Sequence, residues 1–441
     1  MSIIDCRRID PSVFRIDAGR MRKGWYSDHY FNNIVLILTE LMHRGYRFSG
    51  ESRILNCRDI DASSVETGHI EVEMQYFTKR EPFSIVAGTD NAIAILKECT
   101  GYFDEKGDFI NTFCNLEVEA VQDGARLLPW LPAMRIRGRY RDFAILETPT
   151  LGAIARRTRI ATNVYNTVKA ASGKPVLFFP ARFDIHETQA GDGYAYRIAI
   201  ERYNIDESKN VEPFISTAAQ GDWWGETGGG TTAHAFILCF LGDTAEAMMS
   251  FAEILNPDVK RIALVDTNND CVGDSRKTAM KMFDKYMRLK EDGRHEEAEK
   301  YVLYGVRADT AQNMRDISVE PSGDPALDLG VNPRLIYKMR NALDAMHTDP
   351  SIPARRKKEA ESYFRKIKIV ATGGFIPEKI RLFENLGVPV DIYGVGSYLM
   401  RGENNDFTAD VVMAKINGRW CHMAKVGRRR VENPDLEKIS S

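Results

Sequence analysis

The chain has 441 residues, of which 44% are hydrophobic, 10% aromatic and 28% charged, enough to bury a large interior and more than one core usually organises. A peptide, a fibre and a globally disordered chain are excluded, and two domains are expected. Sixty Lys and Arg against 62 Asp and Glu leave a formal charge of −2, so no bulk field advertises nucleic acid or an anionic membrane, and any anion site must be local. Seven scattered cysteines, Cys6, Cys57, Cys99, Cys114, Cys239, Cys271 and Cys421, show no CxxC and no Cys/His ladder. This argues against structural zinc and against a secreted disulfide framework. The N-terminus MSIIDCRRIDPSVFRIDAGR lacks the apolar core of a signal peptide. The longest apolar runs, such as NIVLILTELM from Asn32, fall short of the roughly 20 residues that span a bilayer. A cytoplasmic protein is expected.

Residues 1–140 read as an α+β unit. From Asp28 to His43, Phe31, Ile34, Val35, Leu38, Leu41 and Met42 recur at three- and four-residue spacing and mark one buried helix face. Ser27 or Asp28 could cap that helix. Segments such as HIEVEMQYF and FSIVAG alternate as strands do, and AIAILKECTGYF reads as a second helix.

From about residue 141 the texture changes. PVLFFPA (175–181), RIALVDT (261–267), YVLYGVRA (301–308), IKIVATGG (367–374) and VDIYGVGS (390–397) read as strands, with helices such as TAEAMMSFAEIL and PEKIRLFENLG between them. This alternation predicts parallel strands with helical crossovers, in a (β/α) barrel rather than a doubly wound sheet, with any site at the carboxyl ends of the strands. Residues 281–300 and 341–366 carry both signs of charge densely and are expected as exposed helical insertions rather than core. In DVVMAKINGRWCHMAKVGRRR, Asn-Gly between apolar runs signals a hairpin that could pack back on the N-terminal unit.

The chemistry gathers in a few places. In TGGGTTAHAF (227–236), glycines and the hydroxyls of Thr231 and Thr232 precede His234, before an apolar segment expected to be helical. Exposed amides, hydroxyl donors and a helix start suit an anion, and a histidine beside it could act as nucleophile or acid/base. A glycine-rich loop with a structural histidine fits the same residues. Gly373-Gly374 and Gly394-Val395-Gly396-Ser397 each follow a strand directly, as phosphate-binding loops of barrels do; simple turns are the alternative. Neither matches a P-loop or a dinucleotide fingerprint. Arg182, Asp266, Arg307 and Asp309 stand at strand ends, where they could hold a polyanion or merely pair with one another. Tyr30 opens the first helix and could offer a π face or simply pack. The Trp223-Trp224 pair is equally open between core anchor and pocket wall.

GTTAHAF, ALVDT, GVRADT, KIVATGGFIPEKI and VPVDIYGVGSYL, in that order, resemble the nicotinate phosphoribosyltransferase family, over most of the chain from WYSDHYF to NGRW and KVGRR. The resemblance implies a type II phosphoribosyltransferase fold. That is an α/β chain whose irregular (β/α) barrel, residues 141–400, accompanies a smaller N-terminal α+β domain, residues 1–140, completed by residues 401–441. It implies a homodimer that joins nicotinate to 5-phosphoribosyl-1-pyrophosphate, forming nicotinate mononucleotide and pyrophosphate in NAD salvage, coupled to ATP hydrolysis through phosphorylation of His234. By the same resemblance His234, Asp266, Arg307 and Asp309 are catalytic. Arg182 and Arg307 face the nicotinate carboxylate and the phosphates, and Asp266 and Asp309 face ribose or magnesium pyrophosphate. Thr231, Thr232, Gly373, Gly374, Gly394, Gly396 and Ser397 bind substrate phosphates, and Tyr30 stacks on the pyridine. Mg2+ is carried by pyrophosphate rather than by protein ligands.

Four departures from the family pattern stand out. GVRADTAQNM lacks the Ser-Gly-Asp that commonly follows the arginine, PARFD has one arginine where many relatives have two, the segment 316–366 is longer than the family pattern leads one to expect, and the cysteine-rich metal site of some relatives is missing. The alternatives are a nicotinamide- or quinolinate-type transferase and a catalytically silent barrel subunit.

Overall fold

Two six-stranded sheets of opposite character organise the chain, in a computed structural model that describes residues 7–55, 61–402 and 406–440. In chain order the strands of these two sheets are β1 (Glu71–Thr78), β2 (Glu117–Ala120), β3 (Pro132–Arg139), β4 (Val176–Phe178), β5 (Phe214–Ile215), β6 (Ile262–Leu264), β7 (Gly305–Ala308), β8 (Lys368–Ala371), β9 (Ile392–Val395), β10 (Phe407–Ile416), β11 (Arg419–His422) and β12 (Glu437–Lys438). The first sheet is antiparallel in the order β11-β10-β1-β3-β2-β12, and the second is parallel in the order β6-β7-β8-β9-β4-β5. Two compact units result. One comprises Met1–Tyr165, Ala195–Asp206 and Gly402–Ser441, the other Asn166–Tyr194 and Glu207–Arg401.

In the first unit, β1 is paired on both sides, with β3 and with β10 from Glu71↔Lys415 to Thr78↔Phe407. The expected hairpin is present. Asn417 and Gly418 adopt positive φ of 50° and 79° between β10 and β11, as a two-residue turn matching strand twist requires. The chain's end therefore completes the N-terminal sheet. Helix α1 (His29–His43) buries Phe31 and Leu38, and helix α2 (Thr89–Cys99) buries Ile93, Ile95 and Leu96 in the same core as Val72, Met74 and Tyr76. Asp28 stands at the N-cap of α1 without capping it, because its carboxylate instead accepts from Thr148 Oγ1 at 3.0 Å. The AIAILKECTGYF segment is helical only to Cys99; Gly101–Phe103 is a short strand.

In the second unit, β6 to β9 are almost wholly buried, as strands covered on both faces must be. The helices that matter below are α3 (His234–Cys239), α4 (Cys271–Glu291), α5 (Lys357–Lys366) and α6 (Pro377–Asn385). The charged stretches 281–300 and 341–366 are not exposed insertions. Helix α4 buries Met282, Phe283, Tyr286 and Met287, and α5 buries Tyr363 and Phe364. Phe283 meets Phe364 and Tyr363 at ring separations of 5.0 and 5.2 Å. The charges occupy one face of each helix, and composition alone does not separate the faces.

Cys99, Cys114, Cys239, Cys271 and Cys421 are free thiols; Cys6 and Cys57 lie outside the described residues. Among the described residues no helix is long and apolar enough to cross a membrane.

Candidate active site

Parallel strands deliver their carboxyl ends to one side of a sheet, so the residues that follow them converge. Here they line a cavity of about 460 Å³ that gathers Arg182, Thr231, Thr232, Arg307, Asp309, Gly373, Gly374, Gly394, Gly396 and Ser397. His234 and Asp266 stand beside this lining, each next in sequence or in space to it. Tyr30 is not part of it. It belongs to the first unit, is 56% exposed, and directs its hydroxyl to Asp28 at 3.4 Å.

The glycine-rich segment has a structural duty as well as an exposed one. Strands β5 and β6 are the two edges of the parallel sheet. The segment hydrogen-bonds to both, through Gly229 N–H to the Ile215 carbonyl at 2.9 Å and Thr232 N–H to the Ile262 carbonyl at 3.2 Å. Thr232 Oγ1 also accepts from Leu264 N–H at 2.9 Å. A Cβ on Gly228 would lie 2.6 Å from the Thr217 backbone, and one on Gly229 would lie 2.6 Å from the Phe214 ring. Those two glycines let the segment lie flat in the seam. Gly230 has open space where its Cβ would be. The following helix α3 is only six residues long, too short for the expected helix-start dipole to matter.

Arg307, at the end of β7, organises the mouth. One of its Nη atoms donates to Asp309 at 3.1 Å and to Thr372 Oγ1 at 3.2 Å, and the other donates to the Thr232 carbonyl at 3.1 Å. Thr372 in turn donates to the second carboxylate oxygen of Asp309 at 2.6 Å. Asp309 is thus a clamp on Arg307, the role its strand-end position also allowed. At this mouth Arg307 Nε and Asp266 Oδ1 stay buried without a hydrogen-bond partner among the described residues. Burial lowers the Arg307 pKa and raises that of Asp266, while the charges of His234 and Arg307 pull Asp266 back down. Arg182, exposed and nearby, adds like-charge repulsion on Arg307. Two guanidiniums facing one cavity are relieved by an anion between them.

His234 opens α3 with its side chain 45% exposed. Its Nδ1 lies 3.0 Å from Thr267 Oγ1 and its Nε2 lies 3.5 Å from Asp266. Gly373 and Gly374 have positive φ of 91° and 72°, so both require the left-handed region that glycine adopts freely. Gly394 and Gly396 serve close approach instead. A Cβ on Gly394 would meet Thr372 Cγ2 at 2.4 Å, and one on Gly396 would meet the Phe183 ring at 2.6 Å. Trp223 and Trp224 stand off the cavity. Trp223 packs on Tyr194 at a ring separation of 5.8 Å, and Trp224 donates to the Gln220 carbonyl at 2.8 Å.

Sequence reasoning missed Phe179, Phe183, Ser216, Thr372 and Phe375, all of which line the cavity. The signal for the first two was available in FFPARF, where aromatic residues flank the arginine. Thr267 was noted only as the neighbour of Asp266.

Residues 59–158 match the family described as quinolinate phosphoribosyl transferase, N-terminal domain. Nicotinate phosphoribosyltransferase 1 of Arabidopsis thaliana is 29% identical over 191 residues, covering 38% of this chain and 32% of that protein. Nicotinate phosphoribosyltransferase 2 of the same plant is 28% identical over 194 residues with the same coverage. The match thus spans about a third of the length of these curated relatives. Among solved structures, nicotinate-nucleotide pyrophosphorylase from Pyrococcus furiosus superposes with a TM-score of 0.62 at 22% identity, over 96% of this chain and 85% of that one. Human nicotinic acid phosphoribosyltransferase gives 0.56 at 13% identity, over 88% and 74%. These structures share the fold: a curled parallel half-barrel sheet and a separate strand-rich sheet.

Proposed function

We propose that this chain, which belongs to the type II phosphoribosyltransferase family, joins nicotinate to 5-phosphoribosyl-1-pyrophosphate and releases nicotinate mononucleotide and pyrophosphate. One observation carries the reading: two guanidiniums, three phenyl rings and two glycine turns share one cavity at the strand ends. Phe179 and Phe183 give a flat ring its apolar walls, and Arg182 takes the carboxylate of the pyridine. The turns at Gly373-Gly374 and Gly394–Ser397 present amides to the 5′-phosphate. The pyridine nitrogen then attacks ribose C1 from about 3 Å, and the bond from C1 to pyrophosphate breaks as positive charge grows on the sugar. Arg307, held by Asp309 and Thr372, stabilises the departing anion without reorganising. No side-chain nucleophile is needed for that displacement.

On this reading magnesium arrives on the substrate pyrophosphate. No group of three or more His, Cys, Asp or Glu among the described residues could hold a metal ion, whereas the unpartnered Asp266 Oδ1 can accept from a hydrated cation. Bound on pyrophosphate, Mg2+ would neutralise its charge. ATP enters as co-substrate that phosphorylates His234, and hydrolysis of the phosphohistidine favours product formation. The same reading makes the protein a cytoplasmic homodimer, testable by light scattering on the purified chain.

The match of residues 59–158 to a quinolinate transferase domain favours a second reading, a quinolinate substrate with two carboxylates. Purified protein given phosphoribosyl pyrophosphate and nicotinate, nicotinamide or quinolinate in turn, with and without ATP, decides between them. Mononucleotide from nicotinate is expected, raised by ATP. Turnover of quinolinate alone, with CO2 released, would replace the first reading by the second. His234→Ala is expected to remove the ATP-dependent increment while measurable ATP-independent product remains.

A further inference from the structure

Each ring nitrogen of His234 has one polar neighbour, Thr267 Oγ1 at 3.0 Å from Nδ1 and Asp266 Oδ2 at 3.5 Å from Nε2. A neutral imidazole carries one N–H and one lone pair, so the two neighbours must play opposite roles. A carboxylate only accepts, so the Asp266 charge 3.5 Å away favours the proton on Nε2. The lone pair then falls on Nδ1 and calls for a donor. The Thr267 hydroxyl can supply it, since it has no other hydrogen-bond partner among the described residues. Thr267 follows Asp266 directly in the turn just beyond β6, so both contacts come from adjacent residues of one short loop.

We infer that Thr267 is a positioning residue whose hydroxyl donates to Nδ1 and holds His234 as its Nε2–H tautomer, with the Asp266 carboxylate facing the Nε2 proton. The inference rests on the phosphohistidine reading for its use, though not for its geometry. In the transfer the Nδ1 lone pair forms the phosphorus–nitrogen bond as the bond from phosphorus to the ADP oxygen breaks. The hydroxyl yields its place, and the imidazolium keeps its proton on Nε2 facing Asp266. Without the hydroxyl, the ring samples both tautomers and rotates away from the productive one.

The test uses the full chain with 15N-labelled histidine and no ATP. Long-range proton–nitrogen correlation distinguishes the tautomers, and a His234→Gln spectrum identifies the resonance. The Nε2–H pattern is expected in the parent and in Thr267→Ser, and a mixture in Thr267→Val. An Nδ1–H pattern in the parent, or an unchanged pattern in Thr267→Val, overturns the proposal. In parallel, transfer of label from γ-labelled ATP onto the protein should fall about tenfold in saturating rate in Thr267→Val and recover in Thr267→Ser, with half-saturating ATP shifted less than twofold. A change in half-saturation alone would make Thr267 a binding residue and also overturn the inference. If the parent takes up no label on His234, the phosphohistidine reading fails while the spectrum still decides the tautomer.

Discussion

The antiparallel and parallel sheets handle charge in opposite ways. In the first, Glu73 sits mid-strand in β1, fully buried, with Arg137 Nε at 2.5 Å, Arg430 Nε at 2.6 Å and Arg135 Nε at 3.5 Å. Arg137 stands directly opposite on β3, and Arg430 comes from the chain's end. Gln75 adds two bonds to that end, donating to the Arg429 carbonyl at 2.9 Å and accepting from Val431 N–H at 3.1 Å. In the second sheet, strands such as Ile262–Leu264 are apolar and charge appears where they stop. There Arg307 Nε and Asp266 Oδ1 keep no hydrogen-bond partner among the described residues. Charge locked into a ladder specifies pairing; charge left incompletely satisfied at a strand end is available to a ligand.

If that contrast is right, stability and activity should part company on mutation. Glu73→Ala takes the shared buried carboxylate from three arginines, leaving them the outer carboxylates of Glu117, Glu119 and Glu432, and should cost about 3–5 kcal/mol, read as a large fall in the thermal midpoint of the first unit. Arg307→Ala should lower kcat/KM for phosphoribosyl pyrophosphate about 100-fold, close to 2.7 kcal/mol of transition-state stabilisation. Its thermal midpoint should move far less than that of Glu73→Ala, because water entering the cavity can replace the lost donors. Equal thermal losses in the two variants would erase the distinction.

Glu147, also in the first unit, sharpens the picture in pH. Burial, followed by the charges of Asp410 and Asp28, pushes its pKa up to about 7. Below the unfolded value near 4.5 both states are protonated and nothing is lost. As pH rises from there to about 7 the unfolded state ionises first, and stability falls until the folded group ionises too. Glu147→Gln should therefore be neutral at pH 4 and stabilising by about 1–2 kcal/mol at pH 8, allowing for partial solvation. Chemical denaturation at the two pH values measures it. The smallest effect belongs to Gly374→Ala, where a φ of 72° imposes about 1 kcal/mol of strain. It should raise KM for phosphoribosyl pyrophosphate a fewfold with kcat little changed.

What could be read from the sequence follows the range of the interactions. The parallel strands were visible as short apolar runs ending in Asp, Arg or Gly, and Asn417-Gly418 announced its hairpin, because both signals are local. The aromatic faces of α4 and α5 were hidden, since Phe283 and Phe364 find each other across 81 residues and the intervening charge dominates composition. The Glu73–Arg430 pair, 357 residues apart, leaves no local trace at all. At the site, Arg307 was legible but its partner Thr372 was not, because only the pairing of β7 with β8 brings them together. The glycines of 228–230 were read as an anion cradle; two of the three also fill the seam between sheet edges, a role that depends on strand order.

The pairing of β1 with β10 also sets a schedule for synthesis. Glu71 meets Lys415 across 344 residues. At about 5–20 residues per second, the ribosome has finished β1 on the order of tens of seconds before its neighbour emerges. A nascent chain would carry that bare edge throughout, exposed to mispairing and to chaperones, and the unit that is translated first would be the last to mature.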